Sequence, residues 1–469
     1  MSGRHEPLSP PPDRRYGRIP ATAPGPSGPQ MLRSFGQIRK DPLQYLVRTN
    51  AEFGPIVQFP IPRPPSYLIA DAAAARRVLV TNARAYDKHT LQYSSLSLVT
   101  GEGLLTSDGN VWRRQRRLVQ PAFHHEAIHA VGGHVAQALQ RLEGSWRQLP
   151  PRGAIVDLDD LLMRITLEVV GSSLFGTDLS GAAHRLTEAT LSALDVVIAR
   201  ARVPLTPPSW IPTPANRKLR TAVRTLDEAV DGMVAVHQTE ATGSRPTDML
   251  ELLLAPDADG DRLSTAEIRD QVVTFIVAGH ETVASALTWA MWLISGDDDV
   301  QDRLAHEAHD VLGSNAVSMD DLPRLPFARA VLDEALRLYP PAWLVTRRSL
   351  ADDELGGREV PAGSLIILSP YLVHRDGSAW SEPDRFDPSR FLDVSTRGGD
   401  AAVHYWPFGA GPRLCIGREF ALAEGTLLLA GIARRVHVAR DRGVPDPRAV
   451  PLVTIRPGAG LPLVVTRRD

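Results

Sequence analysis

The sequence predicts a mainly α fold, one large helix-dominated domain with a small strand-rich part. Three observations predict it. Helical periodicity dominates from Ala72 onward and recurs at 127–149, 157–176, 184–200, 215–239, 298–312 and 326–338. A run that begins at Ser264, "STAEIRDQVVTFIVAGHETVASALTWAMWLIS", is apolar on most faces, as a helix passing through a core must be. Strand-like segments are short, and no internal repeat or Gly/Ser linker divides the chain.

The elements follow in order. The first stretch, "MSGRHEPLSPPPDRRYGRIPATAPGPSGP", has no apolar core segment and is rich in Pro and Arg, so residues 1–30 are expected to form a flexible, partly polyproline tail before a domain at 31–469. "PIVQFP" and "PSYLIAD" read as two strands around a Pro-rich turn. Asp71 is placed to cap a helix, and "VWRRQRRLVQPAF" is a strongly basic helix that ends at Pro121. "TLQYSSLSLVTGEGLL" and "RVPLTPPSWIPTPANRK" read as loops, and "PDADGD" as a turn. Ser264 and Glu267 form a capping box at the head of the long apolar helix. "RRSLADDELGGREVPAGSLIILSP" reads as short strands and turns, and the last helix, "REFALAEGTLLLAGIARR", starts just after Cys415.

The bulk numbers exclude some functions. A net charge of −2 leaves no global electrostatic case for nucleic acid or an anionic membrane. Hydrophobic content of 43% and charged content of 23% are ordinary for a globular protein. No uninterrupted apolar run reaches the roughly 18 residues of a membrane span, so no membrane anchor is expected. The single cysteine allows no internal disulfide, and a cytoplasmic protein is expected.

Two motifs compete for a metal. His125, Glu126 and His129 spell HExxH, the zinc-peptidase pattern. No suitable third ligand follows: Glu143 sits in "RLEGSW", which does not resemble a third-ligand segment. The plainer reading is a solvated, His-rich helix end. Cys415 lies in "PFGAGPRLCIGREFA". Gly409 and Gly411 permit a tight turn with positive φ, and Gly417 leaves room for a flat ligand against the chain. The helix that follows aims its N-terminal N–H groups at the sulfur, which favours thiolate. Arg413 is placed to pair with an anionic group on a ligand. One thiolate cannot hold structural zinc or an iron–sulfur cluster, which need about four ligands. One thiolate on a planar cofactor suits a haem.

Phe408, Gly411, Arg413, Cys415 and Gly417 match F-x-x-G-x-R-x-C-x-G, and this stretch strongly resembles the haem-binding loop of the cytochromes P-450. Other segments resemble the family in the expected chain order. "AGHET", Ala278 to Thr282, resembles its central-helix motif. Glu334 and Arg337 in "LDEALRLYPP" resemble its E-x-x-R pair, which an arginine of "EPDRFDPSRF", Arg385, is expected to join. Trp112 and Arg116 in "WRRQR" resemble the helix that contacts haem propionates, and Arg347, ahead of its neighbour Arg348, is the expected second propionate arginine. His280 fills a variable position, and Val283 stands where a second Thr or Ser is common.

The resemblance covers residues 31 to 466 and implies a single cytochrome P-450 fold with a small β-rich subdomain. It implies haem b, with Cys415 as its axial thiolate. It implies a groove for dioxygen opened by Gly279 and Thr282, and protons supplied by Glu281 and Thr282 during dioxygen cleavage. The activity implied is monooxygenation, hydroxylation or epoxidation, of a hydrophobic small molecule such as a terpenoid or polyketide. The substrate pocket is expected to use the 90–105 loop, "RVPLTPPSWIP", Val277, Ala278, residues 342–346 and "RPGAGLP", with Thr346 and Thr454 to orient a polar group. Since no flavin or iron–sulfur domain follows the C-terminal strands, a separate ferredoxin or flavodoxin with its reductase is expected. Arg113, Arg114, Arg117 and Arg418 are candidates to dock it, and a monomer is expected. A haem-thiolate peroxygenase or isomerase, and a haem carrier or sensor, are the other readings; neither needs the acid–alcohol pair that Glu281 and Thr282 supply.

Overall fold

The structure, a computed structural model, describes residues 21–60, 65–176, 183–201, 207–208, 210–240, 248–256, 260, 262–393, 396 and 403–468. Its contacts divide the chain into two units, residues 1–90 with 345–369, and residues 91–344 with 370–469.

The first unit is built on a five-stranded sheet in the order Ile56–Phe59, Ser66–Ile69, Leu365–Leu368, Val345–Ser349, Tyr86–Asp87. Pairing is antiparallel except between Ser66–Ile69 and Leu365–Leu368. Both expected N-terminal strands are present, and every residue of each is buried. Strands covered on both faces need no polar alternation. Gln58 and Ser66 are polar residues among them, and Gln58 Oε1 accepts the Thr22 N–H at 2.8 Å.

That bond corrects the expected tail. Residues 1–20 lie outside the described residues, but the chain from Thr22 is held. The Gln58 N–H donates to Pro24 O at 2.9 Å, and the Thr22 hydroxyl lies 2.8 Å from that of Tyr67. A Cβ on Gly25 would fall 2.0 Å from Gln58 O, so only glycine fits there. The edge strand has N–H groups to satisfy, and a Pro-rich segment still carries carbonyls to satisfy them. Three helices that the sequence reading does not assign come next. Gly28–Arg33 is capped by a Ser27–Gln30 box, Phe35–Lys40 follows it, and Pro42–Phe53 is capped by Asp41 with Pro at its first position. The last of them buries Leu43, Tyr45 and Leu46.

The second unit is mostly helical. Its central helix, Thr265–Ile294, begins with the expected Ser264–Glu267 box and packs most extensively on Leu158–Phe175. It is long and apolar enough to cross a membrane, but most of it is buried inside the fold. Trp289 stacks on Tyr339, ring centroids 3.9 Å apart. Each fully buried aliphatic or phenyl side chain along it contributes about 1.5–3 kcal/mol, which offsets the cost of the polar groups the helix also carries inside. The C-terminal helix, Arg418–Arg435, packs on His125–Trp146, Asp298–Leu312 and Pro326–Leu338. Ala154–Asp157, Pro462–Arg467 and Val436–Arg440 form an antiparallel sheet, and Ala449–Pro451 pairs with Ile455–Pro457 in a hairpin. The expected 90–105 loop contains a helix, Leu91–Thr100. Its Ser and Thr residues read as loop formers, but tertiary packing of Leu96 and Val99 overrides that weak preference. Most of the expected loop in "RVPLTPPSWIP" lies outside the described residues.

Pro326–Leu338 carries the expected Glu-x-x-Arg pair fully inside the protein. Arg337 donates to Glu334 from Nε at 2.6 Å and Nη2 at 2.8 Å. It also donates to the carbonyls of His374, Pro383 and Arg385. The third member is a correction. Arg385 is exposed and paired with Glu382, and it offers only its carbonyl. Arg390 brings its side chain to 3.5 Å from Glu334. The chain turns at Asp387, whose N–H donates to Glu334, and the short helix Pro388–Phe391 points Arg390 inward. Phe391, Trp380, Tyr405 and Ala330 close over this network. Tyr405 and Trp406 are tied to Asp333 and His374, so the buried pair supports the segment that leads to Cys415.

Candidate active site

Cys415 ends a tight loop. Gly409 and Gly411 take φ of 72° and 67°, and the Cys415 N–H donates back to Phe408 O at 3.0 Å. Gly417 is different. Its φ is an ordinary −88°, and a Cβ there would lie 3.5 Å from Phe123, a normal contact. Neither backbone strain nor protein packing calls for glycine at 417, which leaves room beside the chain as its reason. Cys415 is exposed on one side, while protein atoms crowd it on the others. Both hold when a residue looks into a recess. Burial pushes its thiol up, against the opposing pull of the Gly417 N–H and the guanidinium groups of Arg116 and Arg418. The expected thiolate is therefore not secured by the protein alone; a bound cation would supply the missing charge.

The basic helix, Gly109–Val119, runs beside this loop. Arg116 Nη1 donates to Leu414 O at 3.1 Å, and burial lowers the pKa of Arg116 while Cys415 opposes that shift. Arg413 stacks on Trp112 at 3.8 Å and pairs with Asp108, which caps the helix. Three of the expected anion-binding and aromatic groups, Trp112, Arg116 and Arg413, are thus gathered around the thiol loop. Arg114 is turned away to Glu267, 2.7 Å away, while Arg113 and Arg117 are exposed. Trp112, Arg113, Arg116, Arg117, Gln120, Pro121 and His124 line a recess of about 410 Å³.

Above the loop the central helix opens. From Gln271 to Trp292 every residue is buried except Ala278, Gly279 and Thr282. Phe123 bridges the two elements: its ring sits against Gly417 and 5.6 Å from that of Phe275, one turn before Ala278. Thr282 faces the opening and donates to Ala278 O at 2.7 Å. Gly279 lies 3.1 Å, measured to its would-be Cβ, from Val170, so close helix packing is its first requirement. Val277, expected in the pocket lining, is only 2% exposed.

Glu281 is buried and points away from the opening. The Thr454 hydroxyl donates to its Oε1 at 2.7 Å, and burial pushes its pKa up. A buried Asp159–Arg456 pair lies nearby, with Thr288 bonded to Asp159. His280 is fully buried and held neutral by burial, its pKa lowered to about 4, with Nδ1 against Ile276 O. Arg347 belongs to the first unit, where it is buried on its strand and donates to Thr346 O at 2.8 Å. Its neighbour Arg348 is committed to Asp87. Thr346 bonds to Thr90 at 2.9 Å, so neither expected pocket threonine has a free hydroxyl.

His125, Glu126 and His129 fall in the first turn of His125–Trp146. The side chains of His125 and Glu126 lie outside the described residues; His129 is exposed, 3.5 Å from Asp320. Among the described residues no three His, Cys, Asp or Glu side chains gather to hold a metal ion. Sequence reasoning missed Phe123, Arg390 and the partner of Glu281. Each is set by contacts across long stretches of chain, and no local pattern signals them.

Known proteins resemble the chain along most of its length. The family model for Cytochrome P450 matches residues 24–461. Cyclooctatin synthase of Streptomyces melanosporofaciens is 37% identical, over 89% of this chain and 88% of its own length. Cyclooctat-9-en-7-ol 5-monooxygenase of the same organism is 34% identical, over 91% of both chains. Pentalenene oxygenase of Streptomyces avermitilis is 33% identical, over 96% of this chain and 98% of its own. A six-coordinated cytochrome P450 from Thermus thermophilus superposes with a TM-score of 0.72 at 32% identity, covering 91% of this chain and 99% of that one.

Proposed function

This chain belongs to the cytochrome P450 family of haem-thiolate monooxygenases, and we propose that it oxygenates a cyclic terpenoid, a hydrocarbon or an alcohol already bearing one oxygen. The observation that carries the reading is the opening at Ala278, Gly279 and Thr282 in the otherwise buried stretch 271–292, joined through Phe123 to the loop of Cys415. Support for the substrate class comes from the relatives: one is named for oxygenating pentalenene, another for oxygenating cyclooctat-9-en-7-ol.

The residues fit a haem. Cys415 would hold the iron from its recess, and Phe408, Gly409 and Gly417 would flank the ring. Trp112, Arg116 and Arg413 would meet the carboxylates of the cofactor, since guanidinium–carboxylate bonds are the strong, orienting kind. Arg347 is retained as a further propionate arginine on the family resemblance alone. The chemistry supplied by a bound haem-thiolate is reductive activation of dioxygen, one atom going to substrate and the other to water. Ala278 keeps its side chain small where dioxygen must fit. Thr282, with its hydroxyl oxygen at the opening, accepts and passes a proton, and Glu281 supplies it.

Two electrons come from a redox partner, and we assign that role to a ferredoxin or flavodoxin with an acidic surface that docks on Arg113 and Arg117. The same proposal places the chain in the cytoplasm as a monomer, its single cysteine being assigned to the haem rather than to a disulfide. The test is an absorption spectrum of dithionite-reduced protein under carbon monoxide, followed by product analysis with cyclic terpenes and their alcohols. A strongly red-shifted Soret band that Cys415→Ala abolishes supports the reading; a haem band that persists at the ordinary position in both proteins removes Cys415 as ligand.

A further inference from the structure

The acid and the alcohol of this site are adjacent in sequence but do not touch. Thr282 turns its hydroxyl to Ala278 O, and Glu281 turns its carboxyl to the turn of the Ala449–Pro457 hairpin. There the Thr454 hydroxyl donates to Oε1, while Oε2 is sealed from solvent with no partner among the described residues. The hairpin turn is not free to drift. Ser285 and Trp289 of the central helix both donate to Ile455 O, at 2.7 and 2.9 Å, and Trp343 donates to Leu452 O at 2.9 Å. Three anchors therefore set Thr454 against Glu281.

We propose that Thr454 is a positioning residue for proton delivery: its hydroxyl holds Glu281 in place and stabilises the carboxylate left behind each time Glu281 gives up its proton. This rests on the monooxygenase reading. Because Glu281 and Thr282 do not touch, the proton that leaves Oε2 reaches the Thr282 hydroxyl through water admitted at the opening, as that hydroxyl releases its own, and the same route returns one solvent proton to Glu281. The difficult moment is the carboxylate state. Glu281 is buried, so ionisation costs it solvation. A hydrogen bond to the charged form is the favourable local contribution that a hydroxyl can make. The charged groups around it pull in opposite directions. Arg456 favours the carboxylate, but Asp159 pairs with Arg456 and, with Asp195, opposes it. Neutral His280 adds no charge. Thr454 is thus the neutral donor on which the carboxylate depends.

The test uses Thr454→Val, which keeps the shape and removes the hydroxyl, and Thr454→Ser, which restores it. Infrared spectroscopy of the ferric protein would read the carbonyl stretch of protonated Glu281, assigned by its loss in Glu281→Gln. In Thr454→Val the band shifts to higher wavenumber, and in Thr454→Ser it stays. In turnover, Thr454→Val delivers protons about tenfold more slowly, the factor one hydrogen bond to a charged group is worth, and releases more peroxide per electron. Thr454→Ser returns both toward the parent values. An unshifted band in Thr454→Val overturns the proposal, and so does a shifted band with unchanged peroxide release. The carbon monoxide spectrum of the same samples separates either result from a failure of the haem-thiolate reading.

Discussion

Arg116 donates from Nη1 to the carbonyl of Leu414, 3.1 Å away and one residue before Cys415. This single bond ties the basic helix to the thiol loop, and its donor is half-buried beside the sulfur. Losing it strands a carbonyl as well as removing a charge.

Arg116→Leu should therefore lower haem retention roughly tenfold, as expected for losing one hydrogen bond from a charged donor. Arg113→Leu, on the exposed side of the same helix, should leave the haem spectrum unchanged and slow reduction by an acidic partner, most at low salt. Spectra and reduction rates recorded at two ionic strengths distinguish the two faces. Equal haem loss in both variants would contradict the division.

The buried Glu334–Arg337 pair gives a second expectation. Removing Arg337 leaves an uncompensated carboxylate in the core, at a cost of about 3–5 kcal/mol. Arg337→Ala should accumulate little folded protein. Arg385→Ala should change stability by less than about 0.5 kcal/mol, because that side chain is exposed. Arg390→Ala, which removes the inward cation, should cost clearly more than Arg385→Ala. Thermal unfolding of the three side by side would test the ranking.

Thr282→Ala should uncouple electron consumption from product and raise peroxide release, with little loss of stability. Its hydroxyl bonds only to a helical carbonyl one turn back, a local bond that does not hold the fold. Unchanged stoichiometry of reducing equivalents to product would remove Thr282 from proton delivery.

Glu424 on the C-terminal helix has both carboxyl oxygens buried without a partner among the described residues, and burial raises its pKa well above the usual value of 4.5. The sign follows directly. The folded state binds a proton that the unfolded chain releases above about pH 4.5, so this contribution is fully present below that pH and is lost as pH rises through the folded pKa. Glu424→Gln removes the titration. It should match the parent at pH 4 and be more stable at pH 8, as melting temperatures at the two values would show. The same difference at both pH values would argue against a buried, protonated Glu424.

Local signals in the chain account for much of this architecture. Ser264 and Glu267 announce the start of the central helix, and the cap and box form as read. Gly409 and Gly411 announce the tight turn before Cys415, and both adopt positive φ. The helices at 298–312 and 326–338 follow from periodicity, because buried faces must recur with the period of the element, while the strands at Ile56 and Ser66, buried along their whole length, are marked by short strand-forming runs around a Pro-rich turn. The helix Leu91–Thr100 was not legible, since Ser and Thr argue locally for a loop and only packing overrules them.

By itself, then, the sequence determined a mainly α cytochrome P450 fold, the loop that presents Cys415, and the acid and alcohol at 281 and 282. Only the tertiary structure decided that Arg390 rather than Arg385 reaches Glu334, that Thr22 bonds to the strand at Gln58, and that Glu281 turns to Thr454 rather than to its neighbour Thr282. Caps, turns and periodicity depend on residues a few positions apart, whose geometry the backbone dictates. A partner 173 residues away, as Thr454 is from Glu281, is chosen by how whole elements pack, and burial makes that choice count because a carboxyl out of water keeps whatever donor the fold brings to it.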